Sequence, residues 1–123
     1  MCNILLSIHP QFVEKIFNGE KRYEFRKIKT KRNPKKILIY STSPISRVVG
    51  EADIENILID TPDKIWEKTS FYSGIDEKFF QKYYKNKEQA VAYQLKNIVV
   101  YNKPKKLKEF GLHTAPQSFV YVQ

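Results

Sequence analysis

The segment GEKRYEFR, residues 19–26, places a carboxylate among cations in a short run that alternates charge with aromatic rings. If this segment is a strand whose two aromatic side chains face the core, Glu24 and Arg26 share the opposite face. Together with Lys21 they could hold a phosphate group and the edge of a base. A close Lys–Glu pair could also perform acid–base chemistry, because each charge shifts the proton affinity of the other. The alternative is that these residues are ordinary charges on the solvent face of a strand.

A second set of polar side chains ends a predicted strand. Ser41, Thr42 and Ser43, in the sequence YSTSP, could bind phosphate through hydroxyl and backbone N–H groups. Runs of this kind more often form only a turn. The sequence contains no P-loop, no GxGxxG and no GxSxG motif. We therefore expect no cofactor.

Metal ligands are scarce in this sequence. Cys2 is the only cysteine, and the two histidines, His9 and His113, are separated and follow no HxxxH or HExxH spacing. A disulfide within the chain and a cysteine-based zinc site are both excluded. The sequence predicts no metal site.

The residues that could do chemistry are embedded in a series of predicted strands and helices. Pro10 suits the first turn of a helix, and Gly19 suits its left-handed stop. Thr61 and Asp76 are predicted helix N-caps. The predicted strands cover residues 3–8, 20–27, 36–40, 47–59, 89–101 and 118–122, and the predicted helices cover residues 10–19, 61–68 and 76–86.

This order of elements has too few parallel crossovers for a doubly wound sheet. It predicts an α+β fold, in which a small and mostly antiparallel β-barrel is flanked by helices. A length of 123 residues fits a single domain spanning residues 1–123. We expect five apolar side chains to be buried in its core, namely Leu5, Ile37, Ile39, Val49 and Val99.

The charge of the chain favours a polyanionic partner. There are 22 basic and 13 acidic residues, which gives a net charge of +9. Basic residues cluster in residues 26–36 and again in residues 103–108, and we expect both clusters to form one side that binds RNA or another nucleic acid. Lys35 and Lys36 are predicted phosphate contacts. The alternatives are that the cations only keep the protein soluble, or that the acidic stretch 51–67 meets a protein partner.

The sequence also carries information about location. MCNILLSIHPQF has no basic region before its apolar run, and that run is too short for a signal peptide. No segment approaches the roughly 20 apolar residues of a membrane span. These observations predict a cytoplasmic protein that does not enter a membrane.

A resemblance to a known family joins these features. The pattern G-x-K-x-x-E-x-R, filled by Gly19, Lys21, Glu24 and Arg26, resembles the signature of the ASCH family, a branch of the PUA-like superfamily. Further segments look like family members once described as predicted transcriptional regulators: LLSIHPQFVEKIFNGEKRYEFR, ILIYSTSPISRVVGEADI, IWEKT and PQSFVYV. The likeness extends over nearly the whole chain.

The resemblance implies a small PUA-like barrel with a cleft between a helix and the barrel, in which relatives bind RNA or a modified base. Lys21, Glu24 and Arg26 would line this cleft, and the STSP turn would lie on its rim. Family members have been linked to RNA binding in transcription and translation, and some are reported as ribonucleases. A shorter branch hydrolyses acylated cytidine with a nucleophilic threonine where this chain has Glu24.

Two functions follow from these observations. The first is an RNA-binding or nucleic-acid-binding ASCH domain, regulatory in transcription or translation, that takes RNA or a modified base into a cleft formed by Lys21, Glu24 and Arg26. The alternative is a hydrolase that acts on a nucleic acid or a modified nucleoside, either a ribonuclease or an amidohydrolase. In that case Lys21 and Glu24 would be the acid–base pair.

Overall fold

The structure, a computed structural model, describes residues 2–122. Strands and helices follow one another in the predicted α+β order. The strands are β1 (Asn3–Ile8), β2 (Tyr23–Arg26), β3 (Lys36–Ser41), β4 (Arg47–Asp60), β5 (Ala90–Lys105) and β6 (Phe119–Val122), and the helices are α1 (Pro10–Phe17), α2 (Pro62–Thr69) and α3 (Glu77–Tyr83). Two short 3₁₀ turns, Ser70–Tyr72 and Leu107–Phe110, were not predicted. None of the helices described is long and apolar enough to cross a membrane.

All six strands belong to one mixed sheet in the order β2-β5-β4-β3-β1-β6. Only the pair β1 and β3 is parallel, and the other four neighbouring pairs are antiparallel. The sheet curls into a half-barrel because β4 and β5, which are 14 and 16 residues long, bend at several register shifts. The predicted fold class, a small and mostly antiparallel PUA-like barrel flanked by helices, is confirmed.

The loop after β2 holds the two edges of the curled sheet close together. The backbone N–H of Thr30 donates to the hydroxyl of Tyr93 on β5 at 3.4 Å, and that of Arg32 donates to the hydroxyl of Tyr121 on β6 at 3.0 Å. The guanidinium of Arg32 also lies over the Tyr121 ring, at 4.9 Å from its centroid. The basic loop therefore crosses from the β2 side of the sheet to the β6 side.

Helix α1 is positioned by its ends and its apolar stripe. Pro10 occupies the first turn after an extended His9, and Val13 and Ile16 are buried against the sheet. The helix was predicted to end at Gly19. Phe17 is the last helical residue and Asn18 is the C-cap, so Gly19, at φ +88°, is the left-handed stop that the sequence predicted. This turn leads directly to Lys21.

Helix α3 packs against β2 in a second, smaller core. Asp76 caps the helix by accepting a hydrogen bond from the N–H of Phe79 at 2.7 Å. Phe80 and Tyr84 are buried in this core together with Phe25 and Ile65. The ring centroids of Phe25 and Phe80 are 5.3 Å apart in an edge-to-face arrangement. As a result, one face of α3 is fixed beside the strand that carries Glu24 and Arg26.

The predicted core is confirmed for three of its five residues. Leu5, Ile37 and Ile39 are at most 1% exposed. Val49 is half-buried against the main core, whereas its neighbour Val48 is fully buried. The prediction for Val99 is wrong, since this side chain is 48% exposed.

A bulge explains the exposure of Val99. Alternation along β5 holds through Val91, Tyr93 and Leu95, all of which are buried. Asn97 then adopts φ +52°, and the pairing with β4 shifts register in the same region. A single extra residue reverses which face the following side chains occupy, so Val99 turns outward.

Candidate functional site

A cleft of about 430 Å³ opens between α1, α3, β2 and the end of β1. Lys21, Glu24 and Arg26 all line it, so the structure brings together the three charged residues of the predicted motif. Seven further residues of the lining enter the description below: Ser7, His9, Phe12, Lys27, Phe79, Tyr83 and Ser118. Its volume lies within the range of roughly 300–1,000 Å³ that is usual for small-molecule sites.

Glu24 and Arg26 form a buried ion pair on β2. Nε and Nη2 of Arg26 donate to Oε2 of Glu24 at 3.1 and 2.8 Å. The two side chains are only 9% and 15% exposed. Within residues 2–122 no group donates a hydrogen bond to Oε1, the second oxygen of Glu24. The carboxylate is therefore fixed in place while one of its oxygens remains available to a ligand.

Arg26 also connects the two edges of the curled sheet. Its Nη2 donates to the carbonyl of Ser7 on β1 at 3.1 Å, and its Nη1 donates to Oγ of Ser118 at 3.4 Å, just before β6. Ser7 is in turn tied to the same segment, because its hydroxyl donates to the carbonyl of Pro116 at 2.7 Å. One guanidinium thus spans the opening between β2 and the β1–β6 edge.

Lys21 is the most deeply buried charge of the cleft, at 3% exposure. Its Nζ donates to the carbonyl of Ser73 at 2.9 Å and lies over the ring of Phe25, at 4.7 Å from the centroid. Burial lowers the pKa of Lys21 to about 8; the nearby charge of Glu24 acts in the opposite direction, and Arg26 and Lys15 add to the lowering. A substantial fraction of this amine is therefore neutral at mildly alkaline pH.

The backbone at Gly74 holds the stem of Lys21 in place. Gly74 has φ +72°, and a Cβ atom at this position would lie 2.6 Å from Cβ of Lys21. The carbonyl of Gly74 accepts a hydrogen bond from Nζ of Lys15 at 2.9 Å. Lys21 and Ser73 also form an isolated antiparallel bridge. These contacts make Ser73 and Gly74 a clamp around Lys21.

Aromatic rings form the apolar part of the cleft. Phe12 on α1 and Phe79 on α3 meet edge to face at 5.6 Å, although Phe79 remains 46% exposed. Tyr83 donates from its hydroxyl to the carbonyl of Phe25 at 3.3 Å, and Nζ of Lys27 lies 4.7 Å above the Tyr83 ring. These rings provide flat surfaces beside the charged residues.

Sequence reasoning did not assign Phe12 and Phe79 to the site. The aromatic cluster of α3 was the available signal, since Phe80 and Tyr84 fill the small core and leave Phe79 and Tyr83 to face the cleft. Tyr84 is tied to β2 as well, because its hydroxyl donates to the carbonyl of Arg26 at 2.8 Å.

The hydroxyl run after β3 does not line the cleft. Ser41 is buried at 2% exposure and Ser43 is exposed. Thr42 approaches the cleft most closely, because its Oγ1 lies 3.5 Å from Nδ1 of His9, a cleft residue. Their predicted role in binding phosphate remains a prediction.

Lys35 and Lys36 lie away from Lys21, Glu24 and Arg26. They sit at the start of β3, whereas the cleft borders the opposite end of the parallel strand β1. Lys36 forms ion pairs with Glu51 and, at 3.3 Å, with Asp53, and the hydrogen bond to Glu51 raises the pKa of Lys36. A phosphate would have to compete with both carboxylates for Lys36, which was not expected from the sequence.

The expected Lys21–Glu24 pair is replaced by a different pairing. In the part of the chain that the structure describes, Glu24 forms its ion pair with Arg26 and none within 4.0 Å with Lys21. The bonds to Arg26 engage Glu24 through two nitrogens, while Lys21 is drawn to a carbonyl on another segment. Any proton transfer by Lys21 would therefore not run directly to Glu24.

No cluster of three His, Cys, Asp or Glu side chains that could hold a metal ion occurs among the residues described.

Known proteins resemble this chain over most of its length. Residues 1–114 match the family described as domain of unknown function DUF365. Large ribosomal subunit protein uL22 of Ureaplasma parvum serovar 3 is 34% identical over 121 residues, which cover 98% of this chain and 39% of the relative. The ATP synthase subunit alpha of the same organism is 31% identical over 121 residues, which are 15% of that relative. The chain thus spans well under half of these relatives.

Two further comparisons concern proteins named for the ASCH domain. An ASCH domain-containing ribonuclease of Zymomonas mobilis is 29% identical over 94 residues, which cover 76% of this chain and 64% of the relative. The crystal structure of ASCH from Zymomonas mobilis is 25% identical, with a TM-score of 0.88 over 98% of this chain and 87% of that one. The chain therefore belongs to the DUF365 family and is an ASCH domain with the PUA-like fold.

Proposed function

We propose that this ASCH domain binds RNA by taking one unpaired nucleotide into the cleft formed by Lys21, Glu24 and Arg26. One observation carries the proposal: Arg26 fixes the Glu24 carboxylate through Oε2 and leaves Oε1 free of donors within residues 2–122. Oε1 is not buried and can be reached from the cleft, so a ligand that donates to it forms a charge-assisted hydrogen bond and gains selectivity over one that cannot donate. An exocyclic amino group of a base is such a donor.

The surroundings of Glu24 suit a nucleotide in two further respects. The rings of Phe12 and Phe79 offer surfaces on which a base can stack, as unpaired RNA bases do in many complexes. Lys21 donates to Ser73 and keeps further N–H donors for a phosphate or a ribose hydroxyl. Lys27 adds a cation at the rim of the cleft.

The charge and the relatives support the same class of ligand. A net charge of +9 promotes association with a phosphate backbone. A relative that covers 76% of this chain is named a ribonuclease. By binding RNA in this manner, the domain would regulate transcription or translation. We keep a modified nucleoside as an alternative occupant of the same cleft.

The experiment compares two ligands that differ at one position. Cytidine 5′-monophosphate carries an amino group where uridine 5′-monophosphate carries a carbonyl, and a carboxylate accepts from the cytosine amino group. We expect the parent to bind the cytidine ligand about 5- to 100-fold more tightly, since one such contact is worth roughly 1–3 kcal/mol. Isothermal titration gives both affinities.

Two variants provide the matched comparison. Glu24→Gln should remove the preference for cytidine, because an amide both donates and accepts. Glu20→Gln makes the same change on an exposed residue outside the cleft, and it should leave the preference intact. Equal affinity of the parent for both ligands, or an unchanged preference in Glu24→Gln, would overturn the proposal.

A second candidate function is hydrolysis of RNA, with Lys21 as a general base or acid. The specific observation in its favour is the burial of Lys21, which lowers its pKa to about 8, close to the pH at which a general catalyst works best. If Lys21 acts as a base, RNA cleavage by the parent should rise with pH up to about 8, and if it acts as an acid, cleavage should fall above about 8. Lys21→Met should abolish turnover while the variant still binds RNA. RNA that stays intact with the parent at every pH would eliminate this candidate.

A further inference from the structure

A second groove lies on the other side of Lys21. It has a volume of about 490 Å³, and Lys21 is a wall residue of both this groove and the cleft. The second groove is lined on its polar side by Arg22, Tyr72 and Lys96, with Glu55 as the carboxylate among them. Lys21, which also forms the isolated bridge with Ser73, is the residue that the two depressions share.

Arg22 is the distinctive residue of the second groove. Its guanidinium carbon lies 3.8 Å from the centroid of the Tyr72 ring, which is a stacking distance. The backbone holds the pair together, because the N–H of Arg22 donates to the carbonyl of Tyr72 at 2.8 Å. The side chain is therefore oriented although it is exposed to solvent.

The donors of this oriented guanidinium are not used by the protein. Within residues 2–122, the Arg22 side chain donates no hydrogen bond and forms no ion pair. By contrast, Arg26 and Lys36 are held by carboxylates, and Arg47 donates to the carbonyl of Ser46. Stacking has fixed the plane of Arg22 and left its outer face and its N–H groups open, an arrangement that suits a base and its phosphate.

An exposed aromatic ring lies next to Tyr72. Phe71 is 86% exposed, and its ring packs edge to face against Tyr72 with centroids 4.8 Å apart. An exposed aromatic ring offers a surface on which a nucleic-acid base can stack. Stacking surfaces and cations therefore occur on both sides of Lys21.

We propose that the second groove binds the nucleotide next to the one in the cleft, with its base stacked on the guanidinium of Arg22. The proposal rests on the function proposed above and extends it from one nucleotide to a two-nucleotide track for single-stranded RNA. Lys21 lies between the two positions, where the connecting phosphate must pass. Lys96, at the far wall, adds a cation for the next phosphate.

The test measures how much affinity the protein gains when the ligand grows from one nucleotide to several. The probes are cytidine 5′-monophosphate and a single-stranded cytidine RNA hexamer, each titrated into the parent and the variants at one salt concentration. In Arg22→Ala the gain should shrink by about 5- to 100-fold, the effect of losing one stacked base. Arg22→Lys should show most of the same loss, because lysine keeps the charge and loses the planar stack.

Lys64→Ala is the matched control, since it removes an exposed cation of α2 outside both depressions and should leave the gain unchanged. Melting temperatures of all variants establish that they are folded. If Arg22→Ala or Arg22→Lys gains as much affinity as the parent when the ligand grows from the mononucleotide to the hexamer, the proposal of a stacked second nucleotide is overturned. The proposal of a single nucleotide in the cleft would still stand. A parent that binds neither probe would overturn both proposals.

Discussion

Lys21 is a cation held almost entirely out of water, and this makes stability depend on pH. Its pKa is about 8 in the folded protein and 10.5 for an ordinary lysine. Between these values the unfolded chain still binds the proton that the folded chain has released, so the free energy of unfolding rises with pH. We expect a rise of about 1 kcal/mol from pH 8 to pH 9.

Urea unfolding at several pH values measures this rise. Lys21→Met keeps an unbranched side chain of similar length and removes the titrating group, so its unfolding free energy should be nearly independent of pH in this range. The window stops at pH 9 because burial raises the pKa values of Tyr83, Tyr84 and Tyr101, and these groups favour the unfolded state as the pH approaches 10, the ordinary pKa of tyrosine. Identical pH profiles for the parent and the variant would contradict the burial of a charged Lys21.

Besides its proposed role in binding, Arg26 has a structural role, because it links β2 to Ser7 and Ser118. Arg26→Ala should lower the free energy of unfolding by roughly 3–5 kcal/mol, since it leaves the buried Glu24 carboxylate without its partner. Arg26→Lys should cost less, because a charge remains while the paired donors are lost. Thermal or urea unfolding gives both values. An Arg26→Ala variant as stable as the parent would contradict the bridging role.

At the scale of residues, the sequence predicted which charged side chains lie together but not which groups each of them binds. The spacing of Lys21, Glu24 and Arg26 on one short segment was enough to predict that they lie together. The pairing within the cluster depended on distant residues: Lys21 turns to the carbonyl of Ser73, 52 positions along the chain. No local pattern indicates which of two cations a carboxylate will choose when one of them has a competing acceptor elsewhere.

At the scale of elements, the clamp formed by Ser73 and Gly74 decides where Lys21 points. Gly74→Ala forces a Cβ against the stem of Lys21 and places alanine in a left-handed conformation. Gly111→Ala is a matched control, because Gly111 has φ +77° and nothing within 4 Å of the added Cβ. We expect the control to lose about 1 kcal/mol of stability from backbone strain alone.

Gly74→Ala should lose more stability than the control, and it alone should weaken binding of nucleotides in the cleft. Denaturant titration and isothermal titration measure the two effects. Equal losses of stability together with unchanged binding would show that the clamp does not set the position of Lys21.

Element boundaries were predictable where capping residues mark them, and less so where strands bend. Thr61 and Asp76 cap α2 and α3 as expected from their types. The bulge at Asn97 was not predictable, because an apolar alternation looks the same on both sides of an inserted residue. Strand β5 also runs to Lys105, beyond its predicted end at residue 101, although the buried alternation stops near Leu95.

At the scale of the whole molecule, one member of each basic cluster lies at a different end of the β3–β4 strand pair. In the strand register, Lys36 lies opposite Asp53 at one end of the β3–β4 pair, while Lys105 lies opposite Val48, near the other end of that pair. The basic clusters of residues 26–36 and 103–108 were expected to act together, and the curled sheet separates these two members of them. Sequence distance carries no information about which end of an antiparallel pair a residue occupies.

This arrangement predicts which cations control the salt dependence of RNA binding. Lys27→Ala removes an exposed cation at the cleft and should reduce the slope of log affinity against log salt by about one. Lys36→Ala should leave the slope unchanged, because Glu51 and Asp53 already neutralise Lys36. Fluorescence anisotropy with a labelled RNA hexamer at several salt concentrations gives the slopes. The reverse outcome would place the phosphate path at the start of β3, beside Lys36, instead of at the cleft.

The most direct measurement of the central claim is the position of the base in a crystal structure of the domain with a cytidine RNA hexamer. We expect one base in the cleft against Phe12 and Phe79, with its amino nitrogen about 3.0 Å from Oε1 of Glu24. The Glu24–Arg26 pair should be unchanged. RNA bound on another face, with the cleft unoccupied, would contradict the account.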